Sequence, residues 1–127
     1  MDPERHKEYK VIIKNNSEVD DDVVREDGVT NVTRQILIGP RDGSLNIIMR
    51  RFCVLPKGHT PYHVHAHEHV VNITKGRGIV IDGKGEKNPV HAGQSLLIHG
   101  EEKHQFKNPF DDPFEFLCII LNPDKKN

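Results

Sequence analysis

The sequence has little of what membrane-spanning and secreted proteins need. It has no apolar run near the roughly 20 residues that cross a bilayer, and the stretch from Met1 to Lys7 lacks the apolar segment of a signal peptide. Its only cysteines, Cys53 and Cys118, favour a reducing compartment, and no structural disulfide is expected. These features predict a cytoplasmic protein without a membrane partner.

The chain also lacks an excess of charge of either sign. Lys and Arg number 18 against 19 Asp and Glu, which leaves a formal net charge of −1. Such a balance gives no broad attraction to nucleic acid or to anionic lipid, and no segment resembles a DNA-reading helix-turn-helix. We therefore expect a small-molecule ligand rather than nucleic acid. At 127 residues the chain predicts one domain, near the size at which a partner chain helps to bury surface.

No convincing helical period is present, and the apolar residues instead form short runs that glycine and proline separate. The predicted strands cover residues 9–13, 32–38, 45–55, 70–75, 79–81, 88–91, 95–98, 104–108 and 114–121. The third of them is expected to end at Pro56-Lys57-Gly58, and Asp82-Gly83 is typical of a two-residue hairpin. The pattern predicts an all-β sandwich or barrel.

The residues before the barrel carry two features of their own. The strand predicted at residues 9–13 has no evident partner within the barrel, so pairing with the sheet edge of a second copy predicts a homodimer. The acidic stretch at residues 18–28 is interpreted as a solvated loop, and the alternative is a contact with a second cation or a partner.

A stretch rich in histidine lies at residues 58–70. Imidazole is a common ligand for transition metals, and in an extended chain His63 and His65 would point the same way, about 7 Å apart. If the strand continued, His67 and His69 would extend a comb too long for one ion. We therefore predict a bend at residues 66–68 and a new strand that begins at His69.

The side chains within the predicted bend are not expected to be metal ligands. His67 is interpreted as a rim residue rather than a ligand. Glu68 is a candidate catalytic base that orients a ligand ring or takes a proton, and a solvated side chain is the alternative. The histidines expected on turns or strand ends, without a catalytic role, are His59, His91 and His99.

Two motifs carry a family resemblance: His63-x-His65-x3-His69-x6-Gly76 and Gly93-x10-His104-x3-Asn108. They resemble the two motifs of the cupins, which are small barrels of the jelly-roll type. The resemblance spans residues 31–122 and implies a double-stranded β-helix. Residues 1–30 are then an N-terminal extension with the edge strand and the acidic loop, and residues 123–127 a solvated tail.

The ligand set comes from this resemblance. Most cupins have glutamate at the position of His69, and the histidine found here resembles a bacterial and archaeal subgroup of small cupins with four histidine ligands. The implied metal ligands are His63, His65, His69 and His104. His99 and Glu101 replace the proline and glycine expected early in the second motif, which changes the loop and leaves the ligand positions intact.

Four neutral imidazoles would leave the full double charge of the ion in place. An ion that prefers six ligands would keep two positions open for water, dioxygen or a bidentate substrate. Such a shell suits manganese, iron, cobalt, nickel, copper or zinc, and the sequence does not choose among these divalent ions.

The cavity wall follows from strand alternation. Phe106 shares the face of His104, whereas in the last strand either Phe116, Cys118 and Ile120 or the alternate residues line the cavity. The resemblance favours Phe106, Phe116 and Cys118 as cavity lining, with Arg50 as a polar contact to substrate. Cys118 is either an inert apolar residue or, beside a redox metal, a thiol open to oxidation.

These features predict a metal-dependent enzyme, and the activity expected first is oxygenase-like, on a small organic compound. A non-catalytic binding or sensor protein is one alternative, and a metal-dependent isomerase or cyclase is another. A sugar isomerase or epimerase would need a polar pocket, and Phe106 and Phe116 count against it.

Overall fold

The computed structural model describes residues 9–124, and strands form nearly all of its regular structure. Two short 3-10 helices, Asn16–Glu18 and Pro40–Asp42, are the helical elements of the described residues. The strands are β1 (Asp22–Val23), β2 (Thr30–Ile38), β3 (Ile47–His59), β4 (His69–Lys75), β5 (Arg77–Ile81), β6 (Lys87–His91), β7 (Ser95–Ile98), β8 (Gln105–Lys107) and β9 (Phe114–Leu121).

The strands form one curled sheet in the order β6-β5-β8-β3-β9-β4-β7, and β2 pairs with β3 and β1. All the pairs are antiparallel. This curled sheet is the double-stranded β-helix of the jelly-roll type. The all-β prediction is confirmed, and each strand predicted from residue 32 onward is present with ends shifted by a few residues.

The long strand β3 connects the two halves of the barrel. Its first part, from Ile47 to Val54, pairs with β9, and its last residue, His59, pairs with Lys107 of β8. The predicted end at Pro56-Lys57-Gly58 is therefore wrong, because β3 continues through a bulge there. Gly58 permits this passage: a Cβ on it would lie 2.6 Å from the carbonyl oxygen of Thr30.

The hairpin at Asp82 also differs from its prediction. The connection between β5 and β6 runs over residues 82–86 rather than over two residues. Asp82 Oδ1 accepts hydrogen bonds from the backbone N–H groups of Lys84 and Glu86, both at 3.0 Å, and Gly85 adopts the positive φ of 78°. The aspartate organises a longer turn, so the left-handed residue is Gly85 and not Gly83.

The inner face of the barrel holds the apolar core. Along β9, Phe114, Phe116, Cys118 and Ile120 are buried, whereas Ile119 and Leu121 are exposed on the other face. The sequence left open which face of this strand points inward, and the structure shows that it is the face with Phe116 and Cys118. Cys53 pairs with Glu115 and lies on the opposite face from Cys118, and both thiols are free.

The N-terminal extension differs from its prediction in two ways. Residues 9–15 belong to no strand, since a strand needs a hydrogen-bonded neighbour and the described chain provides none for them. The acidic loop in turn contains β1, which pairs with Thr33 and Arg34 of β2. Residues 1–8 and 125–127, which include most of the predicted tail, lie outside the described residues. The described residues contain no helix of the length and apolarity that a bilayer requires.

Asn108 joins the second motif to the rest of the barrel. Its side chain is fully buried and donates hydrogen bonds to the carbonyl oxygens of Val54 at 2.9 Å and Asp112 at 2.8 Å. Its own Oδ1 accepts a bond from the N–H of Phe110 at 3.0 Å. One side chain therefore satisfies backbone groups of β3 and of the loop before β9, and it holds the end of the segment that contains His104 and β8.

We expect Asn108→Ala to lower the free energy of unfolding by about 2–4 kcal/mol, because buried backbone groups lose their partners. Urea denaturation of the metal-free protein measures this loss. Asn72→Ala is the matched control, since Asn72 is exposed and its side chain contacts the hydroxyl of Ser95 at 3.1 Å. The control should change stability by no more than about 0.5 kcal/mol, and equal effects of the two changes would contradict the assignment.

Candidate functional site

Three histidines from two distant parts of the chain converge at one point. His63 and His104 form an isolated antiparallel bridge in which each backbone N–H donates to the other residue's carbonyl, at 3.1 and 3.0 Å. His65 follows in the same loop, and its Nε2 lies 3.0 Å from Nε2 of His63. The ligand atoms of all three rings lie within 4.8 Å of one another, a spacing that one metal ion can bridge.

A backbone contact selects the tautomer of His104. Its Nδ1 lies 2.8 Å from the carbonyl oxygen of Glu102, and a carbonyl can only accept a hydrogen bond. Nδ1 therefore carries a proton, and in the neutral ring Nε2 is left with its lone pair for a ligand. This arrangement is the usual support for a metal-binding histidine, because it holds the ring orientation and the basic nitrogen.

His69 lies beside this cluster as the first residue of β4 and is only 5% exposed. Its ring centroid lies 4.7 Å from that of His65 and 5.3 Å from that of His104. Its Nδ1 lies 3.4 Å from Sγ of Cys118, whereas its buried Nε2 has no hydrogen-bond partner among the described residues. A buried ring nitrogen without a partner costs free energy, and a cation would satisfy it.

The environment keeps these rings neutral. Burial is the largest cause of the lowered pKa in three of the rings. It lowers the pKa of His63, and it contributes most to the fall of the pKa to about 4 in His65 and to about 3 in His69. The next cause for each is a neighbouring ring: His104 for His63, His63 for His65 and His65 for His69. Neutral rings offer lone pairs at physiological pH, which is the state that metal binding requires.

The other residues of the histidine stretch lie further out. The chain bends at residues 66–67, and β4 begins at His69, so the predicted bend is confirmed. The ring of His67 is parallel to that of His69 at a centroid distance of 5.4 Å, but His67 does not line the cavity. Glu68, the candidate base, is exposed and also lies outside the cavity lining. His91 and His99 are exposed, and His59 ends β3.

The histidines open into a cavity of about 150 Å³. Its wall includes each of the predicted contact residues: Arg50, Phe106, Phe116 and Cys118. The three aromatic rings of the wall stack in a row, with Phe52 5.4 Å from Phe116 and Phe116 4.4 Å from Phe106. The cavity therefore combines a histidine cluster with an apolar wall, which is the usual composition of a site for a small organic ligand.

Several lining residues were missed by the sequence reasoning. Phe52 lies two positions after Arg50 on β3, so strand alternation had the information to find it. Val24 and Glu26 belong to the stretch interpreted as a solvated loop, and Val29 directly follows it. They line the cavity because β1 holds this segment against β2. Glu26 lies 3.9 Å from Arg34, another lining residue. The valines among the acidic residues were the available signal.

A family model described as a cupin domain matches residues 50–120, a range that contains the four candidate ligands. The chain is 37% identical over 90 residues to 1-methylthio-D-xylulose 5-phosphate methylsulfurylase from Rhodospirillum rubrum, covering 71% of this chain and 56% of that protein. It is 27% identical over 125 residues to auxin-binding protein 1 from Arabidopsis thaliana, covering 91% and 61%. The chain thus spans less than two thirds of either relative.

Among solved structures, the chain is similar to the polyketide cyclase RemF from Streptomyces resistomycificus. The TM-score is 0.84 at 26% identity, and the match covers 88% of this chain and 80% of that one.

We expect the metal-free protein to become less stable as the pH falls from 7 to 5. In the unfolded chain His65 and His69 take up protons near their ordinary pKa of 6.5, whereas in the folded chain they stay neutral down to about 4 and about 3. The unfolded state then binds more protons, so the stability is complete above pH 6.5 and is lost as the pH falls toward the folded values. Urea unfolding in the presence of a chelator measures the slope.

Two variants make this measurement specific. His69→Gln should flatten the slope, whereas His91→Gln, which changes an exposed histidine of β6, should leave it as in the wild type. An unfolding free energy that does not change between pH 7 and pH 5 would contradict the lowered pKa values.

Proposed function

The chain belongs to the cupin family, and on that premise we propose that it binds one divalent transition metal ion through four histidines: His63, His65, His69 and His104. The observation that carries the proposal is the convergence of histidine ring nitrogens. The donor atoms of three rings lie within 4.8 Å of one another. The buried Nε2 of His69, without a partner among the described residues, supports the fourth.

The ion would supply Lewis-acid chemistry and open coordination positions for a substrate or dioxygen. The chain's own residues have three other tasks. The Glu102 carbonyl orients His104 through its Nδ1, the stacked rings of Phe106 and Phe116 exclude water, and Arg50 and Cys118 supply polar contacts in the wall. We assign Arg50, Phe106, Phe116 and Cys118 to substrate binding.

The reaction proposed first is an oxygenase-like conversion of a small organic substrate. In the described part of the chain, Glu26 is the only carboxylate of the cavity lining, and it lies near Arg34 rather than at the histidines. A mechanism that needs a dedicated pair of carboxylates is therefore disfavoured. Glu68 stays a weaker candidate for a base, because it is exposed.

Two other functions have specific support. A metal-dependent cyclase or isomerase, which needs no dioxygen, is supported by the likeness to a polyketide cyclase. The likeness to a methylsulfurylase also supports an enzyme. A non-catalytic protein that binds a small ligand is supported by the likeness to an auxin-binding protein.

We also propose that the protein forms a homodimer through its N-terminal segment. Val11 and Ile13 are 85% and 86% exposed in the single chain, which is unusual for neighbouring β-branched apolar residues. A strand partner from a second copy would cover them and one sheet edge together. The two free thiols fit a reducing compartment, which supports the proposed cytoplasmic location.

Removal of one ligand should weaken metal binding. We expect His63→Ala to lower the affinity for zinc or manganese by more than about tenfold, as measured by competition with a chromophoric chelator and by elemental analysis after dialysis. His69→Ala should also weaken binding, since His69 is the proposed fourth ligand. His99→Ala, in an exposed loop, is the control and should bind as the wild type does. Unchanged metal content in His63→Ala would refute the ligand set.

The requirement for dioxygen separates the proposed reactions. Metal-loaded protein is assayed with a panel of 1,3-diketones and α-hydroxyketones, in air and under nitrogen. The oxygenase-like proposal predicts that product forms only in air, with oxygen uptake that matches the product. Equal turnover under nitrogen would favour the cyclase or isomerase, and tight binding without turnover would favour the binding protein.

The assembly state tests the dimer. Sedimentation at micromolar concentration should give twice the mass of 14.5 kDa, and Val11→Lys combined with Ile13→Lys should shift the protein toward monomer, because buried lysines oppose strand pairing. Leu45→Lys changes an apolar residue that is 70% exposed elsewhere, and it should leave the mass unchanged. A monomeric wild type would overturn the proposal.

A further inference from the structure

We infer that the cavity takes a small organic anion and that Arg50 binds its negatively charged group beside the metal ion. This inference rests on the proposed metal site, and it adds the chemical class of the ligand. It starts from an arginine whose position is costly in the protein alone.

Arg50 projects from β3 into the cavity wall and does not form an ion pair with any described carboxylate. Its Nη2 donates to Sγ of Cys118 at 3.2 Å, which is a weak acceptor. Its Nε is buried and has no hydrogen-bond partner among the described residues. A guanidinium group that is partly buried and poorly paired is destabilising unless a ligand satisfies it.

The neighbours of Arg50 hold the guanidinium in place without neutralising it. The ring of Phe52 lies under the group, with the guanidinium carbon 5.0 Å from the ring centroid. This contact is a cation–π interaction, which orients the plane of the guanidinium and leaves its donors available. Cys118, the acceptor of Nη2, also contacts Nδ1 of His69, so Arg50 is linked through one sulfur atom to a proposed metal ligand.

The net charge of the cavity lining also favours an anion. Apart from the histidines, the charged residues of its lining are two arginines, Arg34 and Arg50, and one glutamate, Glu26. They give the lining a net charge of +1. Glu26 lies near Arg34, which leaves Arg50 as the uncompensated group. A divalent ion bound by the histidines would add two further positive charges.

A cation next to an uncompensated arginine is repelled by it. Sγ of Cys118 lies 3.2 Å from Nη2 of Arg50 and 3.4 Å from Nδ1 of His69, so the charge of Arg50 lies close to a proposed ligand ring. An anion between the ion and Arg50 would turn this repulsion into two attractions. A guanidinium suits this role because its donors match a carboxylate or phosphate through two parallel hydrogen bonds.

The experiment uses the full chain loaded with cobalt(II) and measures acetate binding from the cobalt absorption spectrum. Acetamide, which has nearly the same shape without the charge, is the ligand control, and inorganic phosphate separates a phosphate-selective from a carboxylate-selective site. We expect acetate to bind the wild type, acetamide not to bind, and Arg50→Met to weaken acetate by about tenfold or more. Arg50→Lys keeps the charge but loses the two parallel hydrogen-bond donors, and it should weaken acetate binding less.

A second readout separates this role from a structural one. In the absence of added anion, Arg50→Met should bind cobalt more tightly than the wild type, by about threefold or more, because a repelling charge is gone. A residue that only supports the fold would weaken metal binding when it is replaced. Arg41→Met, an exposed change with the same loss of charge, should alter neither affinity.

Equal acetate affinity in Arg50→Met and the wild type, with cobalt still bound, would overturn the inference and leave the proposed metal site intact. Tighter binding of phosphate than of acetate would keep the anion site and assign it to phosphate compounds. A wild type that binds no cobalt would overturn the proposed metal site, and the inference with it.

Discussion

The structure depends on one constraint: the ring nitrogens of several histidines lie together at the edge of an apolar cavity. Two of them, the Nε2 atoms of His63 and His65, are 3.0 Å apart, and a third, in His69, is buried without a hydrogen bond among the described residues. Burial opposes their protonation, so a proton satisfies them poorly. A shared cation would satisfy these nitrogens together.

The fold of the barrel brings these histidines together. The four candidate ligands come from the loop before β4, from the start of β4 and from the end of the loop before β8, and the bridge between His63 and His104 joins the two loops. Strand β3 pairs with β9 up to Val54 and with β8 at His59, so it connects the two. Asn108, just after β8, is bonded to β3 through its side chain. The site is thus held by backbone hydrogen bonds rather than by side-chain packing alone.

Much of this was predictable because the relevant signals are local. Alternation along β9 separated its two faces and the family resemblance favoured the inner one, while the bend at residues 66–68 followed from the length of a straight histidine comb. The passage of β3 beyond Gly58 was not predictable, because a glycine that ends a strand and one that lets two backbones approach look alike in sequence. Phe52 was predictable from its alternation with Arg50 on β3, whereas Val24 and Val29 were missed because the other walls of the cavity come from distant parts of the chain.

X-ray absorption spectroscopy of the zinc-loaded protein tests the central claim most directly, because multiple scattering counts the imidazole rings bound to the ion. The account predicts four imidazoles with nitrogen at about 2.0–2.1 Å and at least one further light-atom ligand. Fewer than three imidazoles, or a sulfur atom at about 2.3 Å from Cys118, would contradict it.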